Sequence, residues 1–357
     1  MTLHYLPVGR GLLYNVGIYL TIASLLWPVG LFTAEPIKLF VVADGKTRPV
    51  YRWNLRQAYR IYNNPRKLPD RLNSSSLPTA RALVWFAVRR LVQISGLVVL
   101  YGTITVLIFT VGGLLYMEPS DFTPEREPLF SIRDSWDLRI RCSVLVFWVM
   151  QGVVPLQIMH FLLSIVFVSI LRVDGPDEWP PLFSSPLQAF TLKRYWGIFW
   201  HRLFSPGAVT WARFVARRGL QLPPGSTIEK VLVPFIVFSV SGAAHAAVGW
   251  RLGYCCLVRD IKFFWWNFAA IFAETVVLKG IRVVFVWLPF GETTPQLQRQ
   301  RNMLVKVTTR VVGYLWVLMF FLWAMPPYLY PKGYDSLRRK GLIIEPESPA
   351  IGALPWD

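Results

Sequence analysis

The sequence predicts an all-α protein of the polytopic membrane type, a bundle of about six transmembrane helices with shorter interfacial helices. Three observations predict it. Charged residues make up only 16% of the 357, while apolar residues make up 54%; a soluble domain carries roughly a quarter charged residues. The apolar residues gather in runs of the ~20 residues that a helix needs to cross a bilayer. The loops between the runs alternate between strongly basic and acidic, as expected of a chain threading back and forth across a membrane. The 16 Trp fit the same setting, because indoles favour the membrane–water boundary.

Taken in order, the expected spans are 11–34, 91–116, 142–171, 231–250, 263–288 and 311–330. The first is too long for a signal-peptide core and lacks a clear small-x-small cleavage site, so it is expected to be a retained anchor. Residues 36–43 read as a short interfacial or re-entrant piece. The third span contains Pro155, which predicts a tilt or kink because proline removes a backbone donor; two shorter pieces are the alternative. Residues 44–90 hold eleven Lys/Arg against two Asp, 117–141 hold six Asp/Glu against four Arg, and 172–230 hold eight Lys/Arg. Excess Lys/Arg marks the cytosolic side. Six spans then place 44–90, 172–230 and 289–310 in the cytosol and both termini in the lumen. A multi-pass protein of the endoplasmic reticulum is expected. The chain reads as one membrane-embedded domain over 1–357, with its motifs concentrated at about 177–275 and irregular chain at 60–80 and 331–357.

A net charge of +18 raises nucleic acid as a partner, but there is no zinc-finger spacing or basic zipper, and basic loops beside membrane spans have a simpler cause. The expected partner is the lipid bilayer, and no nucleic acid. Cys142, Cys255 and Cys256 form neither a disulfide framework nor a metal-ligand spacing, so no metal is expected. No GxSxG elbow, Walker loop, HExxH or strand-to-helix GxGxxG is present.

Two stretches carry candidate chemistry. In the first, Leu192, Tyr195, Trp196, Phe199, Trp200, Leu203 and Phe204 recur as one helical stripe, with Lys193, Arg194, His201 and Arg202 off it. This predicts an amphipathic helix lying in the membrane surface. On that helix His201 projects opposite the stripe, toward water or a protein cavity, with Gly197 leaving space one turn earlier. A plain interfacial anchor helix is the alternative.

The second stretch is the fourth span. His245 is its only ionisable side chain, about 9 Å inside the Arg251 end at ~1.5 Å per residue. Phe238, Ser241, Gly242 and Gly249 share its face, and the small ones admit a close helix or a substrate. A neutral imidazole keeps one ring nitrogen free to accept a proton, and an intramembrane ionisable group is by default a functional candidate. The alternative is a histidine that bridges two helices. His160, in the third span, is a weaker candidate amid Met159, Phe161 and Leu162. Glu274 lies mid-way along the fifth span, with Lys279 and Arg282 further on. The two long cations can snorkel toward the cytosolic end; Glu274 lacks that reach, so it needs a partner or a proton. Bonding to His245 or His201 and simple pinning of helices are both open.

Tyr195-Trp196-Gly197-Ile198-Phe199-Trp200-His201, followed by Ser241-Gly242-x-x-His245, resembles the paired motifs of the membrane-bound O-acyltransferase superfamily, in its wax synthase-like branch. Trp179-Pro180-Pro181-Leu182-Phe183 and Pro186-Leu187-Gln188-Ala189-Phe190 are similar to fungal members that acetylate terpenoid or meroterpenoid alcohols. Tyr195 stands where the motif usually has Phe, and Ile198-Phe199 replaces a polar pair. The resemblance implies a membrane-bound O-acyltransferase-like fold and transfer of an acyl group, acetyl from acetyl-CoA in first place, to the hydroxyl of a lipophilic alcohol, with acyl-CoA as co-substrate and no tightly bound cofactor. It implies His245 as the catalytic base and His201 as a donor to the thioester or oxyanion. Lys193, Arg194 and Arg202 would serve the phosphates of CoA; Trp196, Trp200, Ser241, Gly242 and Glu274 would line the substrate site. A long-chain wax ester synthase, a proton-coupled transporter and a scaffold subunit are the alternatives.

Overall fold

The computed structural model describes residues 40–42, 51–53, 79–128, 134–287 and 295–339, apart from positions 202, 204, 252 and 255. Among the described residues five helices are long and apolar enough to cross a membrane, which makes this an integral membrane protein. They are α1 (Ala80–Thr110), α2 (Ser135–Ser164, continued as a π-helix over Ile165–Ile170), α5 (Thr227–Arg251), α6 (Leu257–Trp287) and α7 (Pro295–Arg339). Each corresponds to one expected span. The expected anchor at 11–34 and most of the loop at 60–80 lie outside the described residues. From the 36–43 segment, Phe40–Val42 (β1) pairs antiparallel with Tyr51–Trp53 (β2), Phe40 opposite Trp53.

The boundaries differ from the expectation in an instructive way. Helix α1 begins well before 91, at Ala80, because Arg81, Arg89 and Arg90 are carried inside the helix and not in the loop. Helix α7 runs 45 residues, from well before 311 to Arg339, so the part of the tail up to 339 is helical. Counting apolar residues marks only the hydrocarbon-crossing part of a helix; hydrogen bonding carries the helix on past it.

The expected single amphipathic helix over 192–204 is helical only to Phe199, and a second short element starts after it, at Ser205. The first is a turn of α-helix, α3 (Leu192–Arg194), that continues as a π-helix over Tyr195–Phe199. The second is α4 (Ser205–Phe214), continued as a π-helix over Val215–Gly219.

The described residues pack as two compact units. The first comprises Met1–Val98, Val154–Leu182 and His201–Ala244; the second comprises Val99–Val153, Phe183–Trp200 and His245–Asp357. In the first, the small Ala212 and Ala216 are fully buried and let α4 and its π extension lie close to Val233 of α5. Arg217 and the backbone N–H of Gly225 donate to Glu229 in the first turn of α5.

In the second unit Ile108, Leu114, Phe122, Ile140 and Tyr330 form a cluster where Phe122 meets Tyr330 edge-on. The same unit holds a set of buried and partly buried charges. Arg141 is 2% exposed and donates to the carbonyls of Glu127 (3.2 Å), Leu322 (3.2 Å), Pro128 (2.8 Å) and Arg126. Arg259 pairs with Glu127, and Lys332 with Asp260. Carbonyls and carboxylates compensate cations that would otherwise be costly to bury. Apolar burial contributes little to holding spans together, since lipid is as apolar as leucine; close packing and such polar contacts carry that part.

Candidate active site

The site is built from α6. Its buried face carries three polar residues seven apart, Asp260, Asn267 and Glu274, all at most 8% exposed. Seven residues are nearly two turns, so the three lie in one row about 21 Å long. Together they tie the loop helix and α7 to α6. Asp260 takes Lys332 of α7. Asn267 accepts the indole N–H of Trp196 at 2.8 Å, and its amide N–H donates to the Phe263 carbonyl at 2.8 Å. Glu274 accepts the backbone N–H groups of Leu192 (2.7 Å) and Lys193 (3.3 Å) and the indole N–H of Trp316 (3.0 Å).

These bonds explain why a helix forms at residue 192. The first four N–H groups of a helix have no partner within it. Here Leu192 and Lys193 donate to Glu274 and Arg194 to the Thr191 hydroxyl at 3.1 Å, and Tyr195 makes the first i→i−4 bond, to the Thr191 carbonyl at 2.8 Å. The N–H groups of the first three helical residues are therefore satisfied, and a carboxylate sits where the helix dipole favours it. Glu274 therefore fixes the loop helix; its partners are Leu192, Lys193 and Trp316.

The helix closes differently from the expectation. The Trp200 N–H bonds the Tyr195 carbonyl at 2.8 Å, an i→i+5 bond, and Trp200 itself is extended at φ −66°, ψ 149°. His201 thus follows the helix and does not ride on it, so its direction is not set by the helical wheel. The stripe residues Leu192, Tyr195 and Phe199 are 0–6% exposed. They pack on protein, with Phe321 4.8 Å from Tyr195 and Phe183 6.2 Å from Phe199 between ring centroids. Trp200 stacks on Trp148 at 5.4 Å and meets Phe183 edge-on at 5.6 Å. It also sits against Gly152, where a Cβ would come within 2.6 Å of the indole. The chain just before the helix is pinned to α7. Gly313 leaves room for the Phe190 carbonyl, and Tyr314 donates to the Leu187 carbonyl.

His245 is half-buried, with its ring 4.7 Å from that of Phe264. Phe264 is one turn before Asn267 on α6 and lies 6.2 Å from Trp196. The second unit therefore brings together His245, Trp196, Trp200 and Glu274 of the expected site, and adds Asn267, Phe264 and Trp148. Asn267 could have been found: it is a lone amide inside an apolar span, which calls for a partner. Gly249, one turn after His245, is where α6 comes close; a Cβ there would be 3.2 Å from the Asp260 carboxylate. Gly197 has open space, with nothing within 4 Å of a Cβ. Lys193 is exposed, whereas Arg194 donates to the Gln188 carbonyl at 2.8 Å and lies over the Phe190 ring at 4.4 Å. Arg202 lies outside the described residues.

His201, Ser241 and Gly242 belong to the first unit. His201 is half-buried, and the Ser241 hydroxyl donates to the Val237 carbonyl one turn back at 2.9 Å. His160 bonds the Pro180 carbonyl at 2.9 Å and lies 5.0 Å from the Trp179 ring. It is one of several anchors of the Trp179–Leu182 stretch. Arg90 donates to the Trp179 carbonyl (2.6 Å), Asp174 accepts the Trp179 indole N–H (3.0 Å), and Gln157 accepts the Leu182 N–H (2.9 Å).

His245 and Trp196 thus meet one face of α6, His245 at Phe264 and Trp196 at Phe264 and Asn267. Residues 179–266 match the Membrane bound O-acyl transferase family, a stretch that includes both motifs. The chain is similar to fungal acetyltransferases. It is 30% identical over 200 residues to acetyltransferase TRI7 of Fusarium sporotrichioides, covering 55% of this chain and 43% of that one. It is 27% identical over 233 residues to acetyltransferase spyB of Aspergillus fumigatus, covering 63% and 39%. It is 29% identical over 197 residues to acetyltransferase ataH of Aspergillus terreus, covering 55% and 60%. The chain thus spans about two fifths of the length of the first two relatives. No solved structure matches. The resemblance read from Tyr195–His201 and Ser241–His245 is borne out.

Proposed function

We propose that this chain transfers an acyl group, acetyl in first place, from acyl-CoA to a hydroxyl of a lipophilic small molecule such as a terpenoid, in the endoplasmic reticulum membrane. The observation that carries this reading is the placement of His245 against Phe264, one turn from the Asn267 that holds Trp196 of the loop motif. The family match and the acetyltransferase relatives supply the reaction class.

In the proposed step the His245 imidazole accepts the alcohol proton while the alcohol oxygen bonds to the thioester carbonyl carbon. The carbon–sulfur bond then breaks, and the proton passes to the departing CoA thiolate. General-base assistance is worth typically ~10²–10⁴ in rate. The part assigned to His201 is an N–H donated to the carbonyl oxygen as negative charge develops on it. No covalent acyl-enzyme is required.

The experiment is labelled acetyl-CoA with a panel of lipophilic alcohols, using membranes that contain the wild-type chain, His245→Ala, His201→Ala or His201→Asn at matched expression. Ester formation is expected to fall by at least ~10²-fold in His245→Ala, and His201→Asn is expected to retain more activity than His201→Ala. Wild-type transfer unchanged by His245→Ala would sink the assignment. Proton-coupled uptake without ester would favour a carrier.

A further inference from the structure

The loop helix carries a buried hydroxyl that no described residue engages. Tyr195 is 5% exposed, and its hydroxyl has no hydrogen-bond partner among the described residues. Two indole donors nearby are satisfied, that of Trp196 by Asn267 and that of Trp316 by Glu274. The Tyr195 ring is fully used in packing, stacked on Trp200 at 5.7 Å and close to Phe199 at 5.3 Å and Phe321 at 4.8 Å.

Phenylalanine would make all of those ring contacts. It would also avoid the desolvation cost that a buried hydroxyl incurs when it lacks a partner. The oxygen is therefore an addition with a cost to folding and no visible return among the described residues. Burial pushes the phenol well above its ordinary pKa, so at neutral pH the group is a protonated donor and not a base.

We propose that the Tyr195 hydroxyl is a ligand-binding group that donates a hydrogen bond to a carbonyl-type oxygen of a substrate lodged beside the Tyr195–Trp200 helix. The ligand's identity rests on the acyl-transfer reading: the oxygen belongs to the acyl-CoA or to the acceptor. Tyr195 directly precedes Trp196 and stacks on Trp200, so such a contact would orient the ligand against the motif loop.

The test compares the purified wild-type chain with Tyr195→Phe in detergent. Three quantities are read: melting temperature without ligand, the thermal shift on adding acetyl-CoA, and KM and kcat for acetyl-CoA and for an accepted alcohol. Tyr195→Phe is expected to melt at or above the wild-type temperature, while one KM rises about 5–10-fold, the loss of one neutral hydrogen bond. A rise confined to acetyl-CoA, with a smaller thermal shift, assigns the oxygen to the acyl donor; a rise confined to the alcohol assigns it to the acceptor. Unchanged KM values for both substrates overturn the proposal. So does a lowered ligand-free melting temperature with unaltered kinetics, which would mean that the hydroxyl serves the fold. If the wild-type chain transfers nothing, the acyl-transfer reading fails separately. Tyr195 is then judged on acetyl-CoA binding alone, where equal shifts in both proteins, or none, overturn it.

Discussion

The carboxylate of Glu274 accepts the backbone N–H of Leu192 at 2.7 Å, joining a residue deep in α6 to the first residue of a helix 82 positions earlier. The same carboxylate takes the Lys193 N–H and the Trp316 indole. Three donors converge on one acceptor pair, so an amide cannot replace it without turning an NH₂ toward other N–H groups. Glu274→Gln is expected to cost about 1–3 kcal/mol and Glu274→Ala more, both read as lowered melting temperature. Equal melting of Glu274→Ala and wild type would mean that the loop helix stands without its cap.

Asn267 and Trp196 form one unit of the same scaffold. Removing the acceptor in Asn267→Leu deprives the half-buried Trp196 indole N–H of its bond to Asn267, at a cost of about 1–3 kcal/mol. Trp196→Phe removes the donor instead. Because the two side chains share one bond, the double variant is expected to lose less than the sum of the single losses. Strict additivity in a double-mutant cycle would deny the coupling.

Three glycines make opposite predictions. A methyl at Gly152 meets the Trp200 indole at 2.6 Å, and one at Gly313 falls on the Phe190 carbonyl oxygen, which is backbone and cannot swing away. Gly152→Ala and Gly313→Ala are expected to cost about 1–3 kcal/mol each through forced shifts. Gly197→Ala meets nothing within 4 Å and replaces a poor helix former. It is expected to leave melting unchanged or raise it by up to about 1 kcal/mol equivalent. Should it nonetheless abolish transfer in the ester assay, the space beside Gly197 is occupied by substrate.

Arg141 reaches four carbonyls from one planar guanidinium. Lysine has a point charge and no fork, so Arg141→Lys cannot reproduce the set. A loss of about 3 kcal/mol or more is expected for Arg141→Ala, where the carbonyls lose their donor and the space empties. Retained stability in Arg141→Lys would show that the charge alone suffices.

Glu127 gives a pH dependence whose sign is fixed. Burial holds its carboxyl above the ordinary carboxylate value despite the pull of Arg259. The folded chain then binds that proton more tightly than the unfolded chain. Its contribution is fully present below the ordinary carboxylate pKa and is lost as pH rises through the folded value. Melting temperatures of wild type and Glu127→Gln, followed upward from about pH 4, are expected to show the wild type losing ground to the variant. A pH-independent difference would contradict it.

The sequence by itself determined where the chain crosses the bilayer and which residues form its motifs. A hydrocarbon core of fixed thickness demands long apolar runs, and no tertiary partner is needed to read them. Five of the six expected spans lie among the described helices. Tertiary structure decided what each residue faces. The stripe Leu192–Tyr195–Phe199 has the same period whether it meets lipid or protein, and only the approach of α6 and α7 makes it buried. His160 became an anchor for Pro180 because the Trp179–Leu182 stretch folds back onto α2. The helix ends at Phe199, His201 leaves its wheel, and Asn267 takes the indole of Trp196, through contacts between residues up to 82 positions apart. Local periodicity records that a side chain is to be buried; it carries no information about the distant group that buries it.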